Sequence, residues 1–231
     1  MRSCLVLRLG RVPYGPVLAL QRRLHQARRA QLLPDLLLAL EHEPVITLGR
    51  DGSAQDLLLP EAELRRSGVE VFAVERGGAA TYHGPGQLVL YPILDLRALG
   101  MSLRGYVWAL EEVMIRTGRA FGAELFRRPG LPGAWHPQGK VGFLGVYVRG
   151  WVTLHGLALN VDLRPNGFAW IVPCGMPGAP VVSLREILGR APALPEVEKA
   201  ALQAFAEVFG VALTELSGAE VRSWLSRNGL G

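Results

Sequence analysis

Thiols are scarce in this chain: of its 231 residues only Cys4 and Cys174 are cysteines, far apart and without framework spacing. That argues against a disulfide-stapled secreted domain and fits a reducing compartment. No CxxC or HxxxH pair occurs, and the candidate ligands stand isolated from one another, which speaks against a metal site. Long apolar runs are missing as well, none approaching the ~20 residues of a spanning helix. The opening Met1-Arg2-Ser3-Cys4-Leu5-Val6-Leu7 turns basic again at Arg8 and Arg11, with neither the apolar stretch nor the cleavage site of a signal peptide. The expectation is a cytoplasmic protein that neither crosses nor enters a membrane. Lysine is almost absent: Lys140 and Lys199 stand against 23 arginines. Lysine can lose its proton when buried and arginine effectively cannot, so a lysine kept at 140 is a chemical hint. A catalytic carboxylate pair is also missing, since Asp95 and Asp162 follow strands and read as turn formers.

An apolar fraction of 49% is ample for a real core and excludes disorder. The net charge of +5 favours acidic partners. The arginines are scattered, apart from Arg22, Arg23, Arg28 and Arg29, which read as a solvated helix face. No basic stripe with interleaved aromatics marks a nucleic-acid surface. Repeats, low-complexity segments and linkers are absent, so a single domain over 1–231 is expected, with a helical C-terminal segment at about 195–228. The pattern predicts helices over 15–30, over 102–118 behind a Ser102 cap, and from Pro195 to Gly210, with a short last helix behind Ser217 and Glu220. Leu36 to Leu48 reads as a helix followed by a strand through 44–48. Strands are predicted at 69–74 and 88–91, where Pro92 suggests an edge or a bend. A hairpin at 141–148 and 151–161 turns at Arg149-Gly150. The class is α+β around one sheet.

Three segments carry more unusual residues than a core requires. In Arg76-Gly77-Gly78-Ala79-Ala80-Thr81-Tyr82-His83-Gly84-Pro85-Gly86-Gln87, adjacent glycines let main-chain N–H groups approach a ligand, and Arg76 can add a charged fork. The spacing is neither that of a P-loop nor that of a dinucleotide fingerprint. The second segment is Lys140-Val141-Gly142-Phe143-Leu144-Gly145, followed by His155-Gly156-Leu157-Ala158-Leu159-Asn160-Val161. Here a histidine and an asparagine interrupt apolar strands, where they are costly to bury without partners. The third, Pro173-Cys174-Gly175, puts a thiol in a Pro/Gly-rich loop rather than a core, and the Gly175 N–H could serve an oxyanion. A nucleophilic thiol needs a nearby cation or base, and Lys140, His83 and His155 all qualify.

Together these segments resemble the lipoyl(octanoyl) transferase family. Residues 76–87 resemble its Arg-Gly-Gly-x-x-Thr-Tyr-His-Gly-Pro-Gly-Gln loop at every fixed position. Lys140 to Gly145 resembles its Lys-Ile-x-x-Ile-Gly segment, and His155 to Val161 its His-Gly-x-Ala-Leu-Asn-Val strand. Pro173-Cys174-Gly175 resembles its catalytic loop, with weaker similarity through Glu41 to Arg50. The resemblance implies a mixed β-sheet flanked by helices, similar to the biotin and lipoate protein ligases. It implies that Cys174 carries an octanoyl group as a thioester, taken from acyl carrier protein and passed to a lysine on apo lipoyl domains. Those acceptors would be the lipoyl domains of 2-oxoacid dehydrogenase complexes and the glycine cleavage H protein. Lys140 would lower the Cys174 pKa and shuttle protons. Arg76, Gly77, Gly78, Ala79, Ala80, Thr81, Tyr82 and His83 would line the substrate pocket, with Phe143, Leu144 and Gly145 and with His155, Gly156, Leu157 and Ala158. No cofactor or metal is implied, and a monomer is expected. Two departures flank this pocket: Val182 where the family often has Thr, and Leu154 where Tyr or Thr is common. The rivals are an ATP-dependent lipoate-protein ligase, an amidotransferase between lipoyl domains, a non-catalytic acyl- or biotin-binding regulator and a thioesterase using Cys174 with a histidine.

Overall fold

The computed structural model describes residues 2–163, 165–173, 178 and 180–230. Eleven strands and six α-helices are defined among them. In chain order the first part runs β1 (Arg2–Val12), α1 (Tyr14–Arg29), β2 (Asp35–His42), β3 (Val45–Leu48), α2 (Glu61–Arg66), β4 (Glu70–Ala73), β5 (Ala80–His83) and β6 (Gln87–Ile93). The second part runs α3 (Leu103–Ala120), β7 (Phe126–Arg128), β8 (Leu131–His136), β9 (Gly139–Arg149), β10 (Val152–Asn160), α4 (Leu184–Leu188), α5 (Leu194–Phe209), β11 (Val211–Ser217) and α6 (Gly218–Arg227). Eight strands form one mixed sheet in the order β11-β1-β2-β6-β10-β9-β8-β7, and a second sheet has the order β4-β3-β5. The expected mixed sheet flanked by helices is present, but with a separate small sheet beside it.

The large sheet is apolar on both faces, and this decides its surroundings. Along β2, Leu37 and Ala39 face a core made with α3 and α5. Leu36, Leu38 and Leu40 face one made with α1 and α6. A central strand buried on both sides reads as a continuous apolar run, without the period-2 signature. That is why Leu36 onward resembles a helix in sequence and is a strand in the fold. Cys4 lies in the first of these cores, where burial pushes its thiol well above the usual range, as suits an inert cysteine.

Local signals act as the sequence suggests at several ends. Ser102 accepts a hydrogen bond from the Gly105 N–H at the start of α3. Gly210 adopts φ 63° after α5, and Ser217 with Glu220 forms a capping box before α6. The β9–β10 turn uses positive φ at both Gly150 (59°) and Trp151 (67°), the combination that matches the twist of a tight hairpin.

Pro92 is the exception. It lies inside β6, between β2 and β10, not at an edge. Proline supplies no N–H to a ladder, and the neighbouring strand adapts. The Thr153 hydroxyl donates to the Pro92 carbonyl at 2.7 Å and accepts from the Leu94 N–H at 2.9 Å. Opposite this break, β10 carries His155 at φ 61°, a conformation that L-residues rarely adopt. Its N–H donates to the Gln21 side chain of α1 at 3.1 Å.

Thr153→Val keeps the shape but orphans both buried main-chain groups. It is expected to lower the unfolding free energy in urea by about 2–4 kcal/mol, whereas Thr153→Ser, which keeps the hydroxyl, loses less than half of that.

Candidate functional site

Between β4 and β5 the chain forms the glycine loop, and two earlier segments hold it. The Arg76 guanidinium, 7% exposed, donates from Nη2 to the Thr47 carbonyl at 2.6 Å and to the Ala79 carbonyl at 2.9 Å. Its Nε reaches the Thr47 hydroxyl at 3.2 Å and its Nη1 the Gly77 carbonyl at 3.0 Å. The Asp51 carboxylate accepts from the Gly78 N–H at 2.9 Å. A Cβ at Gly49 would lie 2.2 Å from the Gly78 carbonyl oxygen, so the close approach of the two loops requires glycine there. On its other side the loop meets β9, where the Gly77 N–H donates to the Val146 carbonyl at 3.0 Å.

The loop thereby roofs a cavity whose opposite wall is the β9–β10 pair. Gly145 and Gly156 face each other in register there, so no side chain fills the strip between Phe143–Leu144 and His155. The cavity is lined by Arg76, Gly78, Ala79, Ala80, Thr81, His83, Phe143, Leu144, Gly145, His155, Gly156 and Leu157, all expected from sequence, together with Tyr14 and Tyr91. The inner space is small, about 50 Å³. It shares Gly78, Ala79, Leu144 and Gly145 with a neighbouring groove of about 360 Å³ that contains Lys140, Leu103, Val107 and Leu131.

Aromatic and imidazole rings crowd one end of the cavity. Tyr14 stacks near His83 and meets His42 edge-on at 5.0 Å, and Tyr91 lies against His155. His83 Nδ1 is 2.6 Å from Gln87 Oε1, and Tyr91 Oη is 2.9 Å from His42 Nε2. Burial, helped by neighbouring His42, pulls the His83 pKa down to about 3, and burial pulls His42 to about 4. The Thr81 hydroxyl, facing the cavity, is buried without a hydrogen-bond partner among the described residues. It is therefore suited to a polar atom of a bound molecule.

Lys140 is 4% exposed, with its Nζ over the Phe143 ring at 4.9 Å and the Trp135 ring at 5.3 Å from the centroids. Ring faces attract an ammonium where water is scarce. Its main chain pairs with the segment after the expected catalytic loop: the Lys140 N–H donates to the Pro180 carbonyl at 2.8 Å, and its carbonyl accepts from Val182 at 2.9 Å. Before that loop, Pro173 bridges Ala80, and the Val172 N–H donates to the Asp56 carbonyl at 2.9 Å. Cys174 and Gly175 themselves lie outside the described residues.

Other expected site residues face elsewhere. The Tyr82 ring packs between Phe168 and Trp170, and Ala158 joins the core beside α1. Gly77 borders the Lys140 groove rather than the inner cavity. Leu154 lines a different groove, on the α1 side, so it does not flank the cavity as expected. Val182 touches the site only through its main-chain bonds to Lys140 and Asn160. Tyr14, Tyr91 and Thr47 were not legible as site residues, because each sits in an ordinary helical or strand pattern. No cluster among the described residues has the side chains to hold a metal ion.

The sequence pattern of the lipoyl protein ligase A/B catalytic domain matches residues 13–206. The chain is 42% identical to the octanoyltransferase of Caldicellulosiruptor saccharolyticus, covering 87% of each. It is 44% identical to that of Solibacter usitatus, covering 90% of this chain and 94% of the other. Among solved structures, a lipoate-protein ligase A bound with ATP superposes with a TM-score of 0.75 at 16% identity, over 100% of this chain and 94% of that one. A bipartite lipoate protein ligase of Thermoplasma acidophilum gives 0.72 at 16%, over 97% and 91%. These two likenesses carry the fold alone.

The buried histidines predict how stability depends on pH. Unfolded, His42 and His83 would titrate near 6.5; folded, they stay neutral to about 4 and 3. The unfolded chain therefore binds more protons in this window, and stability is full above pH 6.5 and falls as the pH drops towards 4. Calorimetric unfolding at pH 5 is expected to take up about one proton fewer in each of His42→Gln and His83→Gln than in the native protein.

Proposed function

The chain belongs to the lipoyl protein ligase A/B catalytic domain family, among the octanoyltransferases, and on that premise we propose that it transfers octanoyl groups through a Cys174 thioester. It is an acyltransferase of protein lipoylation. One observation carries the finer reading: the segments on either side of Cys174 are tied to Ala80 of the cavity roof and to Lys140 of its groove. The described residues that flank Cys174 thus reach the inner cavity on one side and the Lys140 groove on the other.

In the proposed first step the Cys174 thiolate attacks the thioester carbonyl of octanoyl-acyl carrier protein. The new C–S bond forms, the carrier's C–S bond breaks, and the carrier thiol leaves with the proton that Cys174 gave up through Lys140. In the second step the ε-amino group of a lipoyl-domain lysine attacks the acyl-enzyme. An amide forms, the Cys174 C–S bond breaks, and the amine's proton returns to sulfur through Lys140. Splitting the transfer lets one site serve two protein substrates in turn. A positive charge at Lys140 favours the thiolate. The Thr81 hydroxyl and the glycine-loop main chain are suited to the acyl group. The net charge of +5 favours encounter with acidic partners.

Intact-protein mass after incubation with octanoyl-acyl carrier protein tests this directly. The native chain is expected to gain one octanoyl group, labile to hydroxylamine and passed on to an apo lipoyl domain. Cys174→Ser gains none, and Lys140→Ala acquires it at least a hundredfold more slowly. A native chain without an adduct that labels the lipoyl domain only with ATP and free acid would instead be a ligase.

A further inference from the structure

Two hollows lie back to back behind the glycine loop. One is the inner cavity; the other is a groove of about 410 Å³ lined by Arg22, His25, Arg29, Tyr147, Arg149 and Leu154. The boundary between them is one residue thick on two separate stretches of chain. On β10, Leu154 faces the groove and His155 the cavity; before the glycine loop, Glu75 faces the groove and Arg76 the cavity. His155 Nε2 and Glu75 Oε2 meet across this boundary at 3.6 Å.

The way these two side chains are held suggests a purpose. His155 is 2% exposed, sits at φ 61°, and its Nε2 has no hydrogen-bond partner among the described residues. A residue strained and unsatisfied at the end of a binding cavity is where function, rather than packing, explains the cost. Glu75 is gripped by both prongs of Arg22 at 3.0 and 2.9 Å. Its carboxyl is held well below the usual range by His155 and Arg22. Burial pulls the His155 pKa down against the pull of Glu75, and at 3.6 Å their contact is longer than a hydrogen bond, so Arg22 is the firmer hold. An apolar chain pushed this far would meet an imidazole edge and then an ionised carboxylate whose hydrogen bonds it cannot replace.

We propose that His155 and Glu75 form the end wall of the acyl pocket and set the longest chain the site accepts. The proposal rests on the reading of the cavity as the octanoyl site. His155 is registered opposite Val146, so the wall stands at most about 20 Å along β9 from Lys140. An acyl group anchored near Lys140 and lying over Gly145 and Gly156 runs towards it. Behind the wall the groove has ample room, so removing the wall joins two existing spaces and leaves β9 and β10 in place.

Calorimetric binding of saturated carboxylates from hexanoate to tetradecanoate tests the wall without needing turnover. For the native protein, affinity is expected to rise about fourfold per methylene up to a limiting length and then to stop rising. His155→Gly suits the positive φ and opens the wall from the cavity side. Glu75→Ala thins it from the groove side without touching β10, and serves should the glycine variant fail to fold. In either variant the limit is expected to move out by two or more methylenes, with tetradecanoate bound at least tenfold more tightly than by the native protein. A limit at the same length in both folded variants would overturn the wall and leave octanoyl transfer untouched. A native protein that binds none of these acids would overturn the acyl cavity itself, and the wall with it.

Discussion

Arg76 is the interaction on which the rest of the site depends. An ionised guanidinium taken out of water is costly unless its N–H groups find acceptors. Here the acceptors are the Thr47 carbonyl and hydroxyl and the carbonyls of the loop itself. The loop therefore cannot swing away from β3 without stranding a charge. That fixes the position of Gly77 against β9, the start of β5 at Ala80, and through Ala80 the approach of Pro173. A residue that reads in sequence as a ligand-binding fork is, in the fold, first the pin of the cavity roof.

The cavity exists because β9 changes neighbours along its length. Near its start β9 pairs with β8, through Gly139, Lys140 and Gly142. Further along, Gly77 takes the place of a strand at Val146. An open strand edge must be paired or covered, and covering it with a glycine loop leaves space that a strand would fill. Gly145 and Gly156 extend that space over the sheet. A Cβ at Gly156 would lie 2.2 Å from the Leu90 carbonyl oxygen, so the main chain could not accept any larger residue there. The walls are thus largely backbone, and chemical character comes from few side chains: the histidine–tyrosine cluster at one end and, in the groove beside the other, Lys140.

Much of the local structure was legible. Helix ends marked by Ser102, Gly210 and the Ser217–Glu220 pair, and the hairpin at Gly150, follow from hydrogen bonds and dihedrals confined to a few neighbouring residues. Beyond that range the reading fails in identifiable ways. In sequence the β2 segment reads as a helix, because the partners that bury both its faces are distant along the chain. Pro92 sits in a central strand where Thr153, supplied by another strand, pairs the Pro92 carbonyl and the Leu94 N–H that the interrupted ladder leaves over. Tyr82 and Ala158 belong to motif segments, yet alternation along a strand turns one towards Phe168 and the other towards α1.

By itself the sequence singled out the segments expected to carry the chemistry, because a thiol in a Pro/Gly-rich loop, a solitary lysine and clustered glycines are exceptional in any chain. It also determined the family, through four ordered motifs. Only the tertiary structure decided which of three candidate cations and bases lies in the groove beside the cavity. The main chain of Lys140 is zipped to the segment following the expected nucleophile, whereas His83 and His155 are buried at the far end, where desolvation lowers the pKa of both. The difference is one of range: composition and local geometry act within a few residues, whereas desolvation and the meeting of distant strands arise only when the whole chain has closed around them.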